Sequence, residues 1–342
     1  MSQAQLPTKR QNNKVNIKDF IEPIRSDFAL VESQLNTNLI DDNQFITELL
    51  ALVFQSGGKR IRPVLVLHSC HASSLSNKAL SQLHIILAVL TELIHSASLV
   101  HDDILDSASV RRGSQTLNKR FSDRMAVLLG DLLFAQASIC LAKIQSPTIV
   151  GIYGQVLGDL CAGEILQMKQ TFSTGLNWQD YIKKSISKTA SLFAAGTKSA
   201  AILNNASDET VAALKNYGLH LGICFQIIDD LLDVTGDSST LGKEPGSDLK
   251  AGIITAPALF TLEHRDKAAR QLEELISTRK ICEPEGLRAG LELIKNSGGI
   301  EATMDLAKQH GQIAKDNLQK LPGSIYRDCL AEFTDYLLHR VS

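Results

Sequence analysis

Apolar residues recur at intervals of three and four along most of the chain, which is the spacing of one face of an α-helix. Two clear runs are Leu83, Ile86, Leu87, Leu90, Ile94 and Leu214, Tyr217, Leu221, Phe225, Ile228, Leu232. Between Pro63 and Pro245 the only proline is Pro147, and this stretch is rich in Ala, Leu and Ile. Such a composition favours helices. We therefore predict an all-α protein of about ten helices, with no convincing strand pair.

The predicted breaks between helices are short clusters of turn-forming residues. They fall near 57–58, 71–77, 107–113, 146–147, 171–177, 204–208, 235–252, 282–286 and 320–323. None resembles a long flexible linker, so we predict one domain over residues 19–342. Residues 1–18 are basic, contain no acidic side chain and lack the apolar core of a secretory signal. We expect a flexible N-terminal tail there, with the remnant of an organelle-targeting segment as the alternative.

The bulk composition excludes several classes of protein. Of 342 residues 44% are hydrophobic, which is enough for a large core, and 35 basic against 37 acidic residues leave a net charge of -2. With only 5% aromatic residues in addition, we expect no nucleic-acid partner. The six cysteines are scattered without a CxxC pair, which is typical of buried thiols in a reducing compartment. No unbroken apolar run approaches 18 residues, so we expect a soluble protein of the cytoplasm, with a plastid or another organelle as the alternative.

Two acidic segments lie within apolar helical sequence, Asp102-Asp103-Ile104-Leu105-Asp106 and Asp229-Asp230-Leu231-Leu232-Asp233. Residues four apart share a helix face, so Asp102 and Asp106 should project together, as should Asp229 and Asp233. Such like charges repel one another unless a cation binds between them. Magnesium suits this arrangement, because it prefers oxygen ligands and is usually held by one or two carboxylates together with substrate phosphates. One segment would be weak evidence, but two copies predict a magnesium site for a phosphate or diphosphate.

A calcium-binding loop is a rival interpretation of residues 233–244, because oxygen-bearing residues fall at loop positions 1, 3, 5, 7 and 12. The sharp turn of such a loop needs glycine at the sixth position, where this chain has Ser238. The eighth position is Thr240 rather than an apolar residue. We therefore prefer the magnesium interpretation.

Cationic segments could bind the phosphates. Gly57-Gly58-Lys59-Arg60-Ile61-Arg62-Pro63 combines three cations with glycines that permit close backbone approach. Arg111-Arg112-Gly113 follows the first aspartate segment closely, and arginine binds phosphate oxygens through paired hydrogen bonds. His95 lies seven residues before Asp102, nearly two helical turns, and so points to the same side of the helix. Further candidates that carry little information alone are Lys188, Thr189, Gln226 and Lys243.

From about Asp19 to its C-terminus, the sequence resembles the trans-isoprenyl diphosphate synthases. The matching motifs, in family order, are GGKRIRP (57–63), HSASLVHDDILDSASVRRG (95–113), Gly130-Asp131, Gly163-Glu164, Lys188-Thr189, FQIIDDLLD (225–233), Leu241-Gly242-Lys243, Gly246-Ser247-Asp248 and Thr255-Ala256-Pro257. The chain looks most like the long-chain, polyprenyl branch, which includes solanesyl-type synthases and makes quinone side chains.

The resemblance implies a single-domain helical bundle around a deep central cavity, normally a homodimer, with about three magnesium ions per active site. The implied metal-binding residues are Asp102, Asp103, Asp106, Asp229, Asp230 and Asp233. The implied catalytic residues are Asp102, Asp106, Asp229, Arg111 and Lys188. Allylic diphosphate would contact Arg111, Lys188, Thr189, Gln226 and Lys243, and isopentenyl diphosphate would contact Lys59, Arg62, His95 and Arg112. Where many relatives have a basic residue five positions after Asp248, this chain has Ile253, so we assign no contact there.

The implied reaction breaks the allylic C–O bond, lets the isopentenyl double bond attack the resulting carbocation, and ends with proton loss. In this family, bulk just before the first aspartate segment limits product length, and Ala97 and Ser98 are both small. We therefore expect a long product of about C40 to C50, with burial of each added methylene favouring elongation by about 0.8 kcal/mol. Product release could involve peripheral contact with a membrane.

Three alternative functions remain open. The chain could be a shorter-chain geranylgeranyl or farnesyl synthase, a terpene cyclase, or a non-catalytic subunit of a heteromeric synthase. Cyclases usually lack a GGKRIRP-type segment and carry a different second metal motif. A non-catalytic subunit would be expected to lose an aspartate or arginine from these motifs, and none is missing from this sequence.

Overall fold

The computed structural model describes residues 16–37, 43–55, 58–74, 79–111, 113–236 and 245–340, and these ranges are almost entirely helical. The helices of the first half are α1 (Ile17–Ile21), α2 (Arg25–Thr37), α3 (Gln44–Gln55), α4 (Ile61–Ala72), α5 (Gln82–Leu105), α6 (Leu117–Arg120), α7 (Asp123–Ile144) and α8 (Pro147–Gln170). Those of the second half are α9 (Trp178–Ser185), α10 (Ser191–Leu203), α11 (Asp208–Thr235), α12 (Ser247–Lys250), α13 (Ala256–Glu263), α14 (Lys267–Ser277), α15 (Pro284–Asn296), α16 (Gly299–Leu318) and α17 (Ile325–Leu338). Two 3₁₀ segments, Glu22–Ile24 and Lys280–Cys282, and a π-helical segment, Ile186–Ala190, complete the helical structure of these ranges.

Capping side chains begin several helices at the predicted breaks. Ser146 accepts from the backbone N–H of Ile149 and is followed by Pro147 at the first helical position, where its missing N–H costs nothing. Asn177 begins α9 with a capping box, and Ser207 caps α11. The predicted breaks at 146–147, 171–177 and 204–208 are thus confirmed.

Helices α5 and α11 form the centre of the bundle. Helix α5 packs against α2, α4, α7 and α10, and α11 packs against α10, α13, α16 and α17. One apolar core surrounds α5, with Leu87, Leu90 and Leu93 fully buried, and a second surrounds the C-terminal half of α11. The two aspartate segments therefore stand on the two most central helices, each near its C-terminal end.

Four helices are long and apolar enough to cross a membrane by length and composition alone, namely α5, α7, α8 and α11. The expectation of a soluble chain was based on the absence of a long unbroken apolar run. These four helices are nevertheless apolar on average, because only isolated polar residues interrupt them. Most of the apolar stretch of α5 (78%) and of α11 (56%) is buried within the protein. Only 33% of that of α7 and 22% of that of α8 is buried, so these two helices carry an exposed apolar surface.

Three details differ from the sequence predictions. Helix α1 already begins at Ile17, inside the predicted tail, because Asn16 and Asp19 form a capping box; residues 1–15 lie outside the described ranges. A two-residue antiparallel strand pair, β1 (Val110–Arg111) with β2 (Ser114–Gln115), forms where no strand was predicted, around Gly113 at φ +77°. The described ranges contain 17 α-helices rather than about ten, mainly because further breaks, such as those at 121–122, 264–266 and 297–298, divide predicted helices.

Candidate active site

A cavity of about 1090 Å³ opens between the ends of α5 and α11. Its lining includes Gly58, Lys59, Arg60, Ile61, Arg62, Glu92, His95, Leu99, Asp106, Arg111, Glu164, Phe225, Asp229, Asp248, Ile253 and Arg340. Asp106 and Asp229, one from each aspartate segment, are both exposed side chains on this wall. The structure therefore brings together the two acidic segments and the glycine-rich cationic segment, which are far apart in sequence.

Three of the six aspartates turn towards protein groups instead of the cavity. Asp103 is buried and accepts a 2.6 Å hydrogen bond from Arg111 Nε. Asp230 is buried and accepts from Tyr181 Oη at 2.7 Å and from Gln226 Nε2 at 2.8 Å. Each of them follows another aspartate, Asp102 or Asp229, by one position, which rotates its side chain about 100° around the helix from that neighbour. These contacts favour a supporting role over the metal binding that the resemblance implied for them.

Asp233 also differs from the expectation that it would project together with Asp229. Its carboxylate accepts from Ser247 Oγ at 2.8 Å and from the backbone N–H of Asp248 at 3.2 Å, and the residue is only 1% exposed. Helix α12 packs over this turn of α11 and encloses the side chain. Asp233 thus joins α11 to the start of α12.

Asp102 is not among the residues that line the cavity, but three of the charged groups around it, Asp106, Arg111 and Glu164, do line it. Burial raises its pKa to about 6, Lys188 and Arg111 oppose the rise, and the nearby Glu164 and Asp106 carboxylates add to it. A divalent cation would strongly stabilise the charged form of such a carboxyl group, because it offsets both the repulsion from the neighbouring carboxylates and the cost of burying the charge.

Lys188 forms an ion pair with Glu164, with 2.7 Å between Nζ and Oε1. Burial acts to lower the pKa of Lys188, but the carboxylates of Glu164, Asp102 and Asp106 outweigh burial and raise it. The lysine is therefore held as a cation next to the first aspartate segment. It belongs to a π-helical turn, a feature that is frequent at functional sites.

The next residue, Thr189, donates a 2.7 Å hydrogen bond to Gln226 Oε1, and Gln226 in turn donates to Asp230. This chain of hydrogen bonds fixes the orientation of the Gln226 amide, which the sequence left undetermined. It also explains how a buried aspartate supports the site without lining the cavity.

The predicted isopentenyl diphosphate residues Lys59, Arg62 and His95 all line the cavity. Lys59 Nζ donates a hydrogen bond to Tyr336 Oη at 3.5 Å. The Arg62 guanidinium lies over the Phe193 ring, 4.7 Å from its centroid. Gly57, Arg112, Lys243 and most of the rival calcium loop at 233–244 lie outside the described residues.

Ala97 and Ser98 lie on the part of α5 just before the first aspartate segment. Ala97 is fully buried in the core, and Ser98 is half-buried with its hydroxyl donating to the His95 carbonyl. Neither side chain lines the 1090 Å³ cavity, whose wall at this level is formed by Leu99. Their proposed effect on product length would have to act below the cavity.

Some lining residues were not predicted as site residues. Glu164 was noted only as part of the Gly163-Glu164 motif, and its pairing with Lys188 gives it a role. Arg340 lies over the Phe225 ring at 5.7 Å and adds a cation to the cavity, but a lone arginine near the chain end gives no sequence signal. Ile253, to which no contact was assigned, also lines the cavity and contributes an apolar side chain to it.

The donor set fits a divalent cation that binds together with a phosphate ligand. In the ranges that the structure describes, no three His, Cys, Asp or Glu side chains are grouped so as to hold a metal by themselves. Magnesium does not need such a group, since it usually keeps several waters and binds one or two carboxylates plus substrate phosphates. Asp102 and Asp106 on one side and Asp229 on the other can each supply carboxylate oxygens in this way.

Comparison with known proteins agrees with the fold and identifies the family. Residues 43–292 match the family model of the polyprenyl synthetases. Solanesyl diphosphate synthase 2 of Arabidopsis thaliana, a chloroplast protein, is 37% identical over 329 residues, covering 96% of this chain and 78% of that protein. The crystal structure of a Caulobacter crescentus polyprenyl synthase, complexed with calcium and isoprenyl diphosphate, superposes with a TM-score of 0.89 at 29% identity, covering 97% of this chain and all of the other. A decaprenyl diphosphate synthase of Rhodobacter capsulatus gives 0.88 at 30% identity, covering 96% of this chain and all of the other.

An all-helical bundle with acidic and cationic groups around a shared cavity, together with these relatives, identifies the class of protein as a synthase of isoprenyl diphosphates. The chain belongs to the polyprenyl synthetase family and is a trans-prenyltransferase.

Proposed function

We propose that this enzyme condenses isopentenyl diphosphate head-to-tail with an allylic diphosphate and repeats the step to make a long all-trans polyprenyl diphosphate. The observation that carries the proposal is the single cavity that holds Asp106 and Asp229 together with Lys59, Arg62 and His95. A cavity lined by both carboxylates and cations suits two diphosphate substrates, one bound through metal ions and one bound directly by cationic side chains. The names of the solanesyl and decaprenyl relatives support a long product.

Magnesium is the proposed cofactor, held by Asp102, Asp106 and Asp229. The Caulobacter relative bound calcium and isoprenyl diphosphate, which supports a divalent metal at this kind of site. Bound magnesium would neutralise the charge that gathers on the departing diphosphate. About three ions would satisfy the charge of the allylic diphosphate and the carboxylates.

The side chains of this protein would orient both substrates. Lys188 and Arg111 lie beside the aspartates, where their charge stabilises a diphosphate as the allylic C–O bond breaks and its electron pair moves to the leaving oxygen. Leu99 and Phe225 give the cavity an apolar surface that would exclude water from the carbocation. Lys59, Arg62 and His95 would hold isopentenyl diphosphate so that its double bond attacks the cation, and the released diphosphate would accept the final proton.

We further propose a product of about C40 to C50 for a quinone side chain, on the small size of Ala97 and Ser98. The test is Ala97→Phe, which should shorten the product, compared with Ala97→Val as a smaller increment at the same position. Because Ala97 is fully buried, both variants are first checked for unchanged thermal unfolding. An unchanged product from a folded Ala97→Phe enzyme would show that this position does not limit chain length.

A homodimer is the proposed assembly, and the exposed apolar surfaces of α7 and α8 support it. Leu128 and Ile139 on α7 and Ile165 on α8 are large exposed apolar side chains. A second copy would bury them, since apolar patches of this kind mark interaction surfaces. Light scattering of wild type and Leu128→Lys tests this: the variant should shift towards the monomer. We further propose a cytoplasmic location, with a plastid or another organelle as the alternative.

The deciding experiment incubates purified protein with magnesium, labelled isopentenyl diphosphate and a panel of allylic primers, followed by sizing of the products. Long all-trans products support the proposal. Products that end at C15 or C20 would identify a shorter-chain synthase, and a folded protein without condensation would identify a non-catalytic subunit.

A further inference from the structure

The backbone just before α4 contains a strained residue. Arg60 has φ 47° and ψ 38°, in the left-handed region that residues with a side chain rarely adopt. It stands between Lys59 and Arg62, both of which line the cavity. Strained residues persist where their surroundings fix them, and they cluster at functional sites.

The side chain of Arg60 is fixed by three elements. Its Nε donates to Glu32 Oε1 on α2 at 2.9 Å, and its Nη1 donates to Glu92 Oε1 on α5 at 3.0 Å. The guanidinium also lies over the Phe54 ring of α3, 5.2 Å from its centroid. The side chains of Arg60 and Glu92 are only 12% and 6% exposed, so this ion pair is largely shielded from solvent.

The ion pair connects the two parts of the proposed isopentenyl diphosphate site. Arg60 belongs to the segment that carries Lys59 and Arg62, whereas Glu92 lies three residues before His95 on the same face of α5. Arg60 and Glu92 both line the cavity beside these residues. A change in the Arg60–Glu92 contact would therefore change the distance between His95 and the two cations.

We propose that Arg60 is a positioning residue, and that its pair with Glu92 sets the spacing between Lys59, Arg62 and His95 for binding isopentenyl diphosphate. The inference rests on the proposed function, since it presumes that these three side chains bind that substrate. Arg60 does not itself bind the diphosphate, because its guanidinium already donates to two carboxylates that offset its charge. Of the three cations in this segment, Arg60 positions the site, and Lys59 and Arg62 bind the diphosphate.

The test compares KM for each substrate, kcat and thermal unfolding of Glu92→Gln, Arg60→Gln, Arg60→Lys and the double variant Arg60→Gln/Glu92→Gln. Glu92→Gln and Arg60→Gln should each raise KM for isopentenyl diphosphate by about 10- to 100-fold, since small misplacements of binding groups have effects of this size. KM for the allylic diphosphate should change by less than about 3-fold. The double variant should be no worse than Arg60→Gln, and Arg60→Lys should recover part of the affinity.

A matched control is Asp27→Asn, which weakens a partly buried contact between α2 and α4, the 2.8 Å hydrogen bond between Asp27 Oδ2 and His71 Nε2, away from the cavity. It should lower the unfolding temperature without separating the two KM values. If Glu92→Gln keeps the wild-type KM for isopentenyl diphosphate while Arg60→Gln raises it, Arg60 is a direct ligand and the proposal is overturned. Equal changes in both KM values would also overturn it, because they would indicate a structural role only.

Calorimetric binding of isopentenyl diphosphate in EDTA separates this inference from the proposed function. A wild-type protein that binds isopentenyl diphosphate but forms no product would count against the proposed function alone. The affinities of Glu92→Gln and Arg60→Gln would then still decide the role of Arg60: weaker binding in both supports it, and unchanged binding in Glu92→Gln overturns it.

Discussion

Two neighbouring residues of α11, Asp229 and Asp230, should respond in opposite ways to substitution. Asp229 is exposed on the cavity wall, whereas Asp230 is buried and accepts hydrogen bonds from Tyr181, Gln226 and the backbone N–H of Ala256. Burial raises the pKa of Asp230, and the nearby Lys184 and these donors oppose the rise. Asp230→Ala should therefore destabilise the fold, and Asp229→Asn should remove activity from a stable protein.

The magnitude follows from the contacts. Asp230→Ala leaves donors at 2.7, 2.8 and 3.3 Å without their acceptor, and each unsatisfied buried group costs about 1 to 3 kcal/mol. Because relaxation and water entry recover part of this, we expect a loss of about 3 to 5 kcal/mol in the free energy of unfolding. Asp229→Asn should change stability by less than about 0.5 kcal/mol, as surface substitutions do. Its kcat should fall by about 100- to 1000-fold, because a group that stabilises the departing diphosphate is lost.

Urea unfolding followed by circular dichroism gives the stability of each variant, and incorporation of labelled isopentenyl diphosphate gives its kcat. Both are measured at one protein concentration, since association of subunits also stabilises a fold. If Asp230→Ala is as stable as the wild type, Asp230 does not support the fold. If Asp229→Asn is unstable yet retains kcat, Asp229 is not a catalytic residue.

Three further predictions concern pH, packing and metal. Burial lowers the pKa of His68 to about 4, so between pH 6.5 and 4 the unfolded chain binds a proton that the folded protein does not. The free energy of unfolding should therefore fall by up to about 3 kcal/mol as the pH is lowered through this range. His68→Gln should reduce this pH dependence, measured by urea unfolding at a series of pH values. Gly218→Ala should destabilise by about 1 to 3 kcal/mol in thermal or urea unfolding, because its Cβ would lie 2.3 Å from Thr197 Oγ1, whereas Gly175→Ala, with no atom within 4 Å, should be neutral or stabilising. EDTA should abolish condensation in the product assay and leave calorimetric binding of isopentenyl diphosphate intact, and added magnesium should restore activity; persistent condensation in EDTA would contradict a metal role.

Much of the helical structure could be predicted because its signals are local. Ser146 with Pro147, Asn177 and Ser207 begin helices through contacts within one turn, so the sequence contains the whole cause. The π-helical turn at Lys188 and the strand pair at Val110 could not be predicted in this way. Each is short, and its neighbours in space determine it more than its own residues do.

The sequence by itself determined that this chain is all-helical, that it carries two acidic segments and a cationic segment, and that Asp102 and Asp106 share a helix face. Helical periodicity also placed Asp229 and Asp233 on one face, and there it was insufficient. Only the tertiary structure decided that Asp229 reaches the cavity while Asp233 is enclosed by Ser247 and Asp248. A helix repeats its faces every few residues, but which turns of a face remain open depends on the elements that pack over them.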